Sequence, residues 1–441
     1  MEPRKASVSV LYNGANATAQ IAAYINSFKY TDVASASSDS ISLTVNDRDH
    51  KWIGPWFPVK GDRLTPTIRA FNWYRQGQVA TFPCGLFHVD DFSFNGGPIR
   101  MSLEGLALPA DTDFKAEQRT QTYEKTTLQE IGQAIADRTG IALFYEAPVI
   151  TIEKVEQNNQ SDCDFLNGLI VKYGLALKIY SDRLVVFSEA VYEARPAKFV
   201  LTPADFDPGW SWNTQQTGTY TGVKYEYTNS DKNKTFTVSA GTPGRTLTCN
   251  EPADNLTEAT AIALAALNNA NKGTTTISIT LMARPGLIAS DCVEIRGLGN
   301  LSGKYYVEQV THSLGSGYKM SLELRRVEAR ITEAKSISST VEEGAVETGS
   351  SGGEESPGGS GSGEVGGDEP ETGELVIGGK YTLTSKKTGY YTAAEAQADT
   401  PLPGHPTGVR GPGTYWIFNI SAGMLNLTTS KTVPGSWVNP G

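Results

Sequence analysis

The chain is dominated by short stretches in which apolar and polar positions alternate, the period of a strand with one buried face. Ser40–Val45 sets Ile41, Leu43 and Val45 on one side. Further strands are predicted at Ala6–Tyr12, Arg63–Phe71, Leu86–Phe94 and Arg100–Leu106, and Asn13-Gly14 reads as a tight hairpin turn. Between about residues 122 and 190 the period changes. Thr127 and Glu130 form a capping box, Leu128, Ile131 and Ile135 follow as an apolar stripe, and Gly140 supplies a C-terminal stop. Ile141–Tyr145 and Val149–Val155 read as strands. A second helix starts at Ser161 with Asp164 at its third position, packs through Phe165, Leu166, Leu169 and Ile170, and ends at Gly174. Leu175–Tyr180 and Arg183–Phe187 make a hairpin through Ser181-Asp182. The order helix, two strands, helix, two strands describes a compact α+β insert in a β-rich body. An Ala-rich helix, capped by Asn255 and Glu258 and ending near Gly273, is expected to pack in the core.

Composition changes this picture at one place. Residues 341–374 hold ten carboxylates and no Lys or Arg, in a setting of Gly and Ser. The whole chain carries −10, so the remainder is close to neutral. Such a segment buries too little apolar surface to offset its ordering entropy and reads as a flexible linker, spanning about 30–35 Å. Nucleic-acid binding, which wants a basic face, is disfavoured. No apolar run approaches the roughly 20 residues that span a bilayer. Met1–Lys5 lacks the apolar core of a secretory signal, so synthesis in the cytoplasm without Sec export is expected. Cys84, Cys163, Cys249 and Cys292, like His50, His88, His312 and His405, are dispersed, and no metal, cofactor or catalytic set is expected from them.

The body contains an internal repeat. Gly85-Leu-Phe-His-Val-Asp-Asp-Phe-Ser-Phe is followed by Met101-Ser-Leu-Glu104, and Gly303-Lys-Tyr-Tyr-Val-Glu-Gln-Val-Thr-His by Met320-Ser-Leu-Glu323. From Gly to Met the separations are 16 and 17 residues, and an Asp-containing turn precedes each copy, at Gly61-Asp62 and Ser290-Asp291. The expected organisation is a first β-barrel over residues 1–121, the α+β insert over 122–195, and a second, related barrel over 196–335. A linker over 336–374 and a small C-terminal β-domain over 375–441 complete it.

Several of these segments resemble a known family. Phe28–Asp32, Asp39–Asp49, Trp52–Trp56 and Lys60–Asp62 are similar to the N-terminal barrel of phage late control gene D proteins, the tail hubs of contractile phages and related bacteriocins. Ser161–Leu166 with Tyr173–Leu175 resembles a helix-and-hairpin signature shared with type VI secretion spike proteins. Gly303–Val307, Thr311-His312, Gly317-Tyr318 and Leu322–Arg326 resemble the second barrel. The resemblance covers about residues 5–330. It implies a non-enzymatic homotrimer in the baseplate, which adapts a sixfold tail tube to a threefold spike. Tail tube protein, a separate spike subunit and other baseplate or wedge proteins would be its partners, and nucleic acid would only pass through its bore. It also implies a place in a virion or extracellular tail-like particle, assembled in the bacterial cytoplasm.

In residues 375–441, short strands between Gly/Pro turns resemble SH3-like modules appended to phage tail proteins. Tyr390, Tyr391, Tyr415, Trp416 and Trp437 are the candidate face for bacterial cell wall or another baseplate subunit; equally, such rings suit the core of a small barrel. The competing class is a tail-associated cell-wall binding protein or peptidoglycan hydrolase. A Cys/His site would need a cysteine, which this module lacks, and Glu395 and Asp399 stand in a stretch read as loop.

Overall fold

The computed structural model describes residues 2–108, 112–230, 232–341, 379–390, 392–401, 408–421, 424–429 and 435–440. They fall into two compact units, Met1–Val346 and Glu347–Gly441. Strands account for 49% of the structure and helices for 17%, so the chain is mainly β.

The first stretch runs β1 (Lys5–Tyr12), β2 (Ala15–Asn16), α1 (Thr18–Ile21), β3 (Ile25–Val33), β4 (Ser40–Asn46) and β5 (Arg63–Phe71). β6 (Val79–Pro83), β7 (Phe87–Asn95) and β8 (Arg100–Leu106) follow. Asn13 and Gly14 both take positive φ, as a tight turn between twisted strands requires, and Leu11 then pairs with Asn16. β4 buries Ile41, Leu43 and Val45, the face that its alternation marks.

Next come α2 (Asp113–Ala116), β9 (Gln118–Thr127), α3 (Leu128–Thr139), β10 (Ala142–Glu146), β11 (Thr151–Ser161) and α4 (Asp162–Lys172). β12 (Ala176–Ile179), β13 (Arg183–Phe187) and α5 (Glu189–Ala194) end the insert. The capping box at Thr127 is formed, Gly140 closes α3 in the left-handed region, and Ser161 accepts from the Asp164 amide. β9 and β11 form one antiparallel ribbon, while β10, β13 and β12 form a separate small sheet. The insert is therefore α+β, as expected, although it opens four residues earlier, with β9.

The last stretch of this unit holds β14 (Phe199–Leu201), β15 (Ser211–Thr214), β16 (Gly222–Asn229), β17 (Lys234–Gly241), β18 (Thr246–Cys249) and α6 (Leu256–Asn271). β19 (Thr275–Met282), β20 (Cys292–Ile295), β21 (Gly303–Leu314), β22 (Tyr318–Arg326) and β23 (Ala334–Val341) complete it. Two corrections follow. Residues 196–335 are not one β unit, because β16, β17, β18 and β23 form their own four-stranded sheet. With α6, that sheet shares its hydrophobic core with the α+β insert. Also, residues 336–341 belong to β23 rather than to the linker, since Ser336–Val341 pair with Lys234–Ser239 on β17. The remainder of the expected linker, 342–374, lies outside the described residues.

The other strands of both stretches join in one 14-stranded sheet with a second core. Within it the order β1-β5-β7-β8-β4-β3 is matched by β14-β20-β21-β22-β19-β15, antiparallel throughout except that β14 runs parallel to β20 where β1 runs antiparallel to β5. The sheet is continuous because β3 pairs with β21.

The second unit contains β24 (Lys380–Leu383), β25 (Lys387–Gly389), α7 (Ala393–Ala398), β26 (Gly408–Arg410), β27 (Gly413–Ser421), β28 (Met424–Thr428) and β29 (Ser436–Val438). β24, β27, β28 and β29 make a four-stranded antiparallel sheet, and β25 pairs with β26. Thr392 and Glu395 form a capping box on α7, so the stretch read as loop is a short helix.

Candidate functional site

The repeated segments build the same object twice. β7 and β8 form one hairpin, β21 and β22 the other. In the first, the register shifts between Val89 and Asp91, leaving Asp90 bulged; in the second it shifts between Val307 and Gln309, leaving Glu308 bulged. After the bulge, Asp91 faces Glu104 just as Gln309 faces Glu323. A bulge adds one residue and bends its strand, so a bulge at the same place in both copies reflects common construction. Met101, Leu103, Met320 and Leu322 are fully buried, each contributing about 1.5–3 kcal/mol of apolar transfer.

The Asp-containing turns match as well. The Val89 amide donates to Asp62 O and the Gly61 amide to Val89 O, both at 2.8 Å. The Val307 amide donates to Asp291 O at 2.9 Å and the Ser290 amide to Val307 O at 2.8 Å. Asp62 accepts from the Val59 amide and Asp291 from the Ile288 amide, each at 2.9 Å. A single carboxylate thus closes each turn three residues back, the local reason for Asp at both places.

Where the halves meet, β3 lies along the outer edge of β21 with Thr31 opposite Thr311 and Tyr30 opposite His312. The Tyr30 and His312 rings stack at 5.7 Å. Burial draws His312 down to about 4, so the stacked ring is neutral at physiological pH. Trp73 Nε1 donates to Ala283 O at 2.8 Å and the Tyr74 hydroxyl to Pro285 O at 2.9 Å, fixing the same joint.

A buried ionic cluster ties the insert to this joint. Lys178, on β12, reaches Asp32 at 2.5 Å and Asp39 at 2.9 Å, and both carboxylates are almost fully buried. Asp32 also accepts from the Ala289 amide, and Asp39 from the Val33 amide and the Tyr30 hydroxyl. Burial, and then the charge of Asp32, raise Asp39 to about 7. Lys178 is held above its ordinary value: burial opposes its charge, but the two carboxylates outweigh that. A second cluster centres on Arg325, 2% exposed, which contacts Glu189, Glu193 and Glu308 and lies 4.3 Å from the Tyr306 ring. Burial pushes all four thiols up, and a thiol kept protonated is a poor nucleophile.

The C-terminal aromatic residues do not form one face. Tyr390 is buried among Met424, Ala396 and Trp437, and its hydroxyl donates to Asp399 at 2.6 Å. It is a core ring, because a unit this small has few other large side chains to fill its interior. Tyr415 packs on the core of the four-stranded sheet. Trp416 follows it on β27 and so points to the opposite side. Trp416 stands opposite Thr428 and Trp437 opposite Asn426, two residues apart on β28, which puts both indoles on that opposite side. Both are half-buried, and Lys380 Nζ lies 5.1 Å from the Trp416 ring. Tyr391 lies outside the described residues.

The Lys178 and Arg325 clusters were not anticipated from the sequence. The available signal was charge inside strands, at Asp32, Lys178 and Arg325, but the strands alone do not say which charges are covered.

No protein-family model matches the sequence, and no curated protein matches it at a significant level. Solved structures do match. The tail protein from Neisseria meningitidis MC58 superposes with a TM-score of 0.56 at 14% identity, over 73% of this chain and 96% of that one. The 43 kDa tail protein of prophage MuSo2 from Shewanella oneidensis superposes with a TM-score of 0.56 at 12% identity, over 73% and 98%. With the doubled six-strand arrangement and its matched bulges, these likenesses place the chain in the fold of those two tail proteins over 73% of its length.

Proposed function

We propose that this chain is a structural component of a phage tail or tail-like injection particle, specifically its baseplate hub. Three copies form a ring that adapts the sixfold tail tube to the threefold spike. The observation that carries this reading is the duplication within one continuous sheet. Two near-equivalent units per chain give six per trimer, so one polypeptide meets a sixfold tube on one face and a threefold spike on the other. The shared fold with tail proteins supports the setting. In this reading each six-strand unit is one barrel of the late control gene D type, and the insert braces the pair through Lys178. Tail tube protein, a separate spike subunit and other baseplate or wedge proteins are the partners. Its work is geometric, the rigid transmission of force when a sheath contracts, and no residue is given a catalytic role. The expected result is that the purified full-length chain has three times the chain mass by light scattering. Negative staining is expected to show a threefold ring with six lobes and an open bore; a monomer that tail tube and spike proteins fail to assemble would sink the hub reading.

Residues 375–441, read as an SH3-like module, engage the bacterial cell wall or a baseplate neighbour through the side that carries Trp416 and Trp437, with Tyr391 as a further candidate. Tyr390 and Tyr415 support it from the cores. Deleting this module is expected to leave particle assembly intact and to reduce adsorption to cells at least tenfold. Failed assembly with normal monomer folding would instead assign the module to docking within the baseplate.

A further inference from the structure

We propose that Lys178 and Asp32 condense into an isopeptide bond, a covalent tie between the α+β insert and β3. The bond forms within one chain, so it stands or falls independently of the hub reading.

Lys178 Nζ has three acceptors around it: Asp32 Oδ1 at 2.5 Å, Val33 O at 2.5 Å and Asp39 Oδ1 at 2.9 Å. Asp32 is 2% exposed and Asp39 is fully buried. A nitrogen this close to a carboxylate oxygen lies about 3–3.5 Å from its carbon, the range from which bonds form. Groups held in that geometry react as though present at about 10⁵ M or more. Burial also favours the product, because covering charge is costly and condensation exchanges an ammonium and a carboxylate for a neutral amide. The ion pair is thus the reactant state.

Two further groups stand where the step needs them. The Ala289 amide donates to Asp32 Oδ2 at 2.9 Å. The oxygen that gathers negative charge as nitrogen adds to Cγ therefore already has its donor. Asp39 is the second carboxylate on the amine, and the Val33 amide and the Tyr30 hydroxyl hold it in place. Its value of about 7 suits it to accept a proton and return it. Nζ begins with three protons and ends with one. The Nζ–Cγ bond forms, the Cγ–Oδ1 bond breaks, and Oδ1 leaves as water with the other two protons, which Asp39 relays and does not keep. Electrons return to their own atoms, so no oxidant or reductant is consumed.

The residue type decides which cluster can react. A lysine becomes a nucleophile once it yields a proton to a neighbour, whereas a guanidinium stays charged. The cluster centred on Arg325 is therefore held by charge alone. At Lys178 the bond would join residues 146 apart in the sequence. It would fasten the insert to β3, the strand through which the two halves of the large sheet meet.

The test is the intact mass and peptide map of the full chain, purified folded and held at neutral pH until its mass is constant. It is expected to be lighter than its sequence by one water. Trypsin should leave Lys178 uncut, so that residues 173–183 are recovered joined to residues 30–48, with fragmentation placing the link on Asp32. Lys178→Arg is expected to give no joined peptide, and Asp39→Asn to form it at least about a hundredfold more slowly, with circular dichroism confirming that both are folded. Absence of the joined peptide from the parent chain would overturn the proposal, and that result needs no variant. A link on Asp39 in place of Asp32 would overturn the roles given to the two acids, as would an Asp39→Asn chain that links at the parent's rate. Mass also separates linked from unlinked chain, so the stability of the ion-paired form is measured by itself.

Discussion

Replacing Lys178 by methionine is expected to cost about 3–5 kcal/mol of stability at pH 8, the usual penalty for stranding buried charge, and distinctly less at pH 6. Lys178 is the cation between Asp32 and Asp39, and both carboxylates are buried where three parts of the fold converge. Methionine fills the space of the side-chain stem but leaves the two acids facing each other. The pH dependence follows from Asp39, whose folded value of about 7 lies above its ordinary 3.8. Its ionisation therefore weighs against the fold: the penalty is absent below about pH 4, grows as pH rises, and is complete above about pH 7. Without Lys178 that penalty is larger, so the gap between variant and parent widens towards high pH. His312 works in the opposite sense, since holding it neutral to about 4 costs stability as pH falls from 6.5. Both proteins share that contribution, and it cancels in their difference. Denaturant unfolding at pH 6 and pH 8 measures the effect, and a gap that is constant or shrinks with rising pH would refute the account of the cluster.

The second large effect is expected at Arg325. Changing it to leucine should lower stability by about 3–5 kcal/mol, because it removes the cation that three carboxylates share at a buried position. Arg330 still reaches Glu193 at 2.6 Å and Lys272 still reaches Glu189 at 3.0 Å, so the loss concentrates on Glu308. Burial raises Glu308 above its ordinary value even in the presence of Arg325. A variant that also carries Glu308→Gln should therefore recover a substantial part of the loss, measured by thermal unfolding of the single and double variants. If the double variant is no more stable than the single one, the arginine acts through its packing on Tyr306 instead. Glu308 is the bulged residue of the second hairpin, and its counterpart Asp90 has Leu106 where Arg325 stands. The two units share a frame but differ in this buried ion set.

What the sequence by itself determined is the set of pieces whose signals are local. Arg63–Phe71, Arg100–Leu106 and Arg183–Phe187 appear as strands with the bounds expected from their alternation. The capping box at Thr127, the cap at Ser161, the stop at Gly140 and the turn at Asn13-Gly14 formed as their side chains and φ preferences dictate. The repeat was legible because Val-acid and Met-Ser-Leu-Glu recur at matched spacing, and the matched bulges at Asp90 and Glu308 give that recurrence its physical meaning. Tertiary structure decided what contacts between distant segments control. Gly222–Asn229 and Lys234–Gly241 alternate like the other strands, yet they left the large sheet to share a core with the insert, because alternation marks a buried face without naming what covers it. Ser336–Val341 looked like the start of a polar linker and became a strand because β17 offered an edge. By period, Arg325 follows an inward Leu324 and should face water; the acids of α5 close over it instead. The aromatic residues after Gly379 suited either a surface or a small core, and among the described residues they divide between two sides of a sheet, with Tyr390 inside. In each case the pattern fixed a residue's side of its own strand, and long-range packing chose the neighbour.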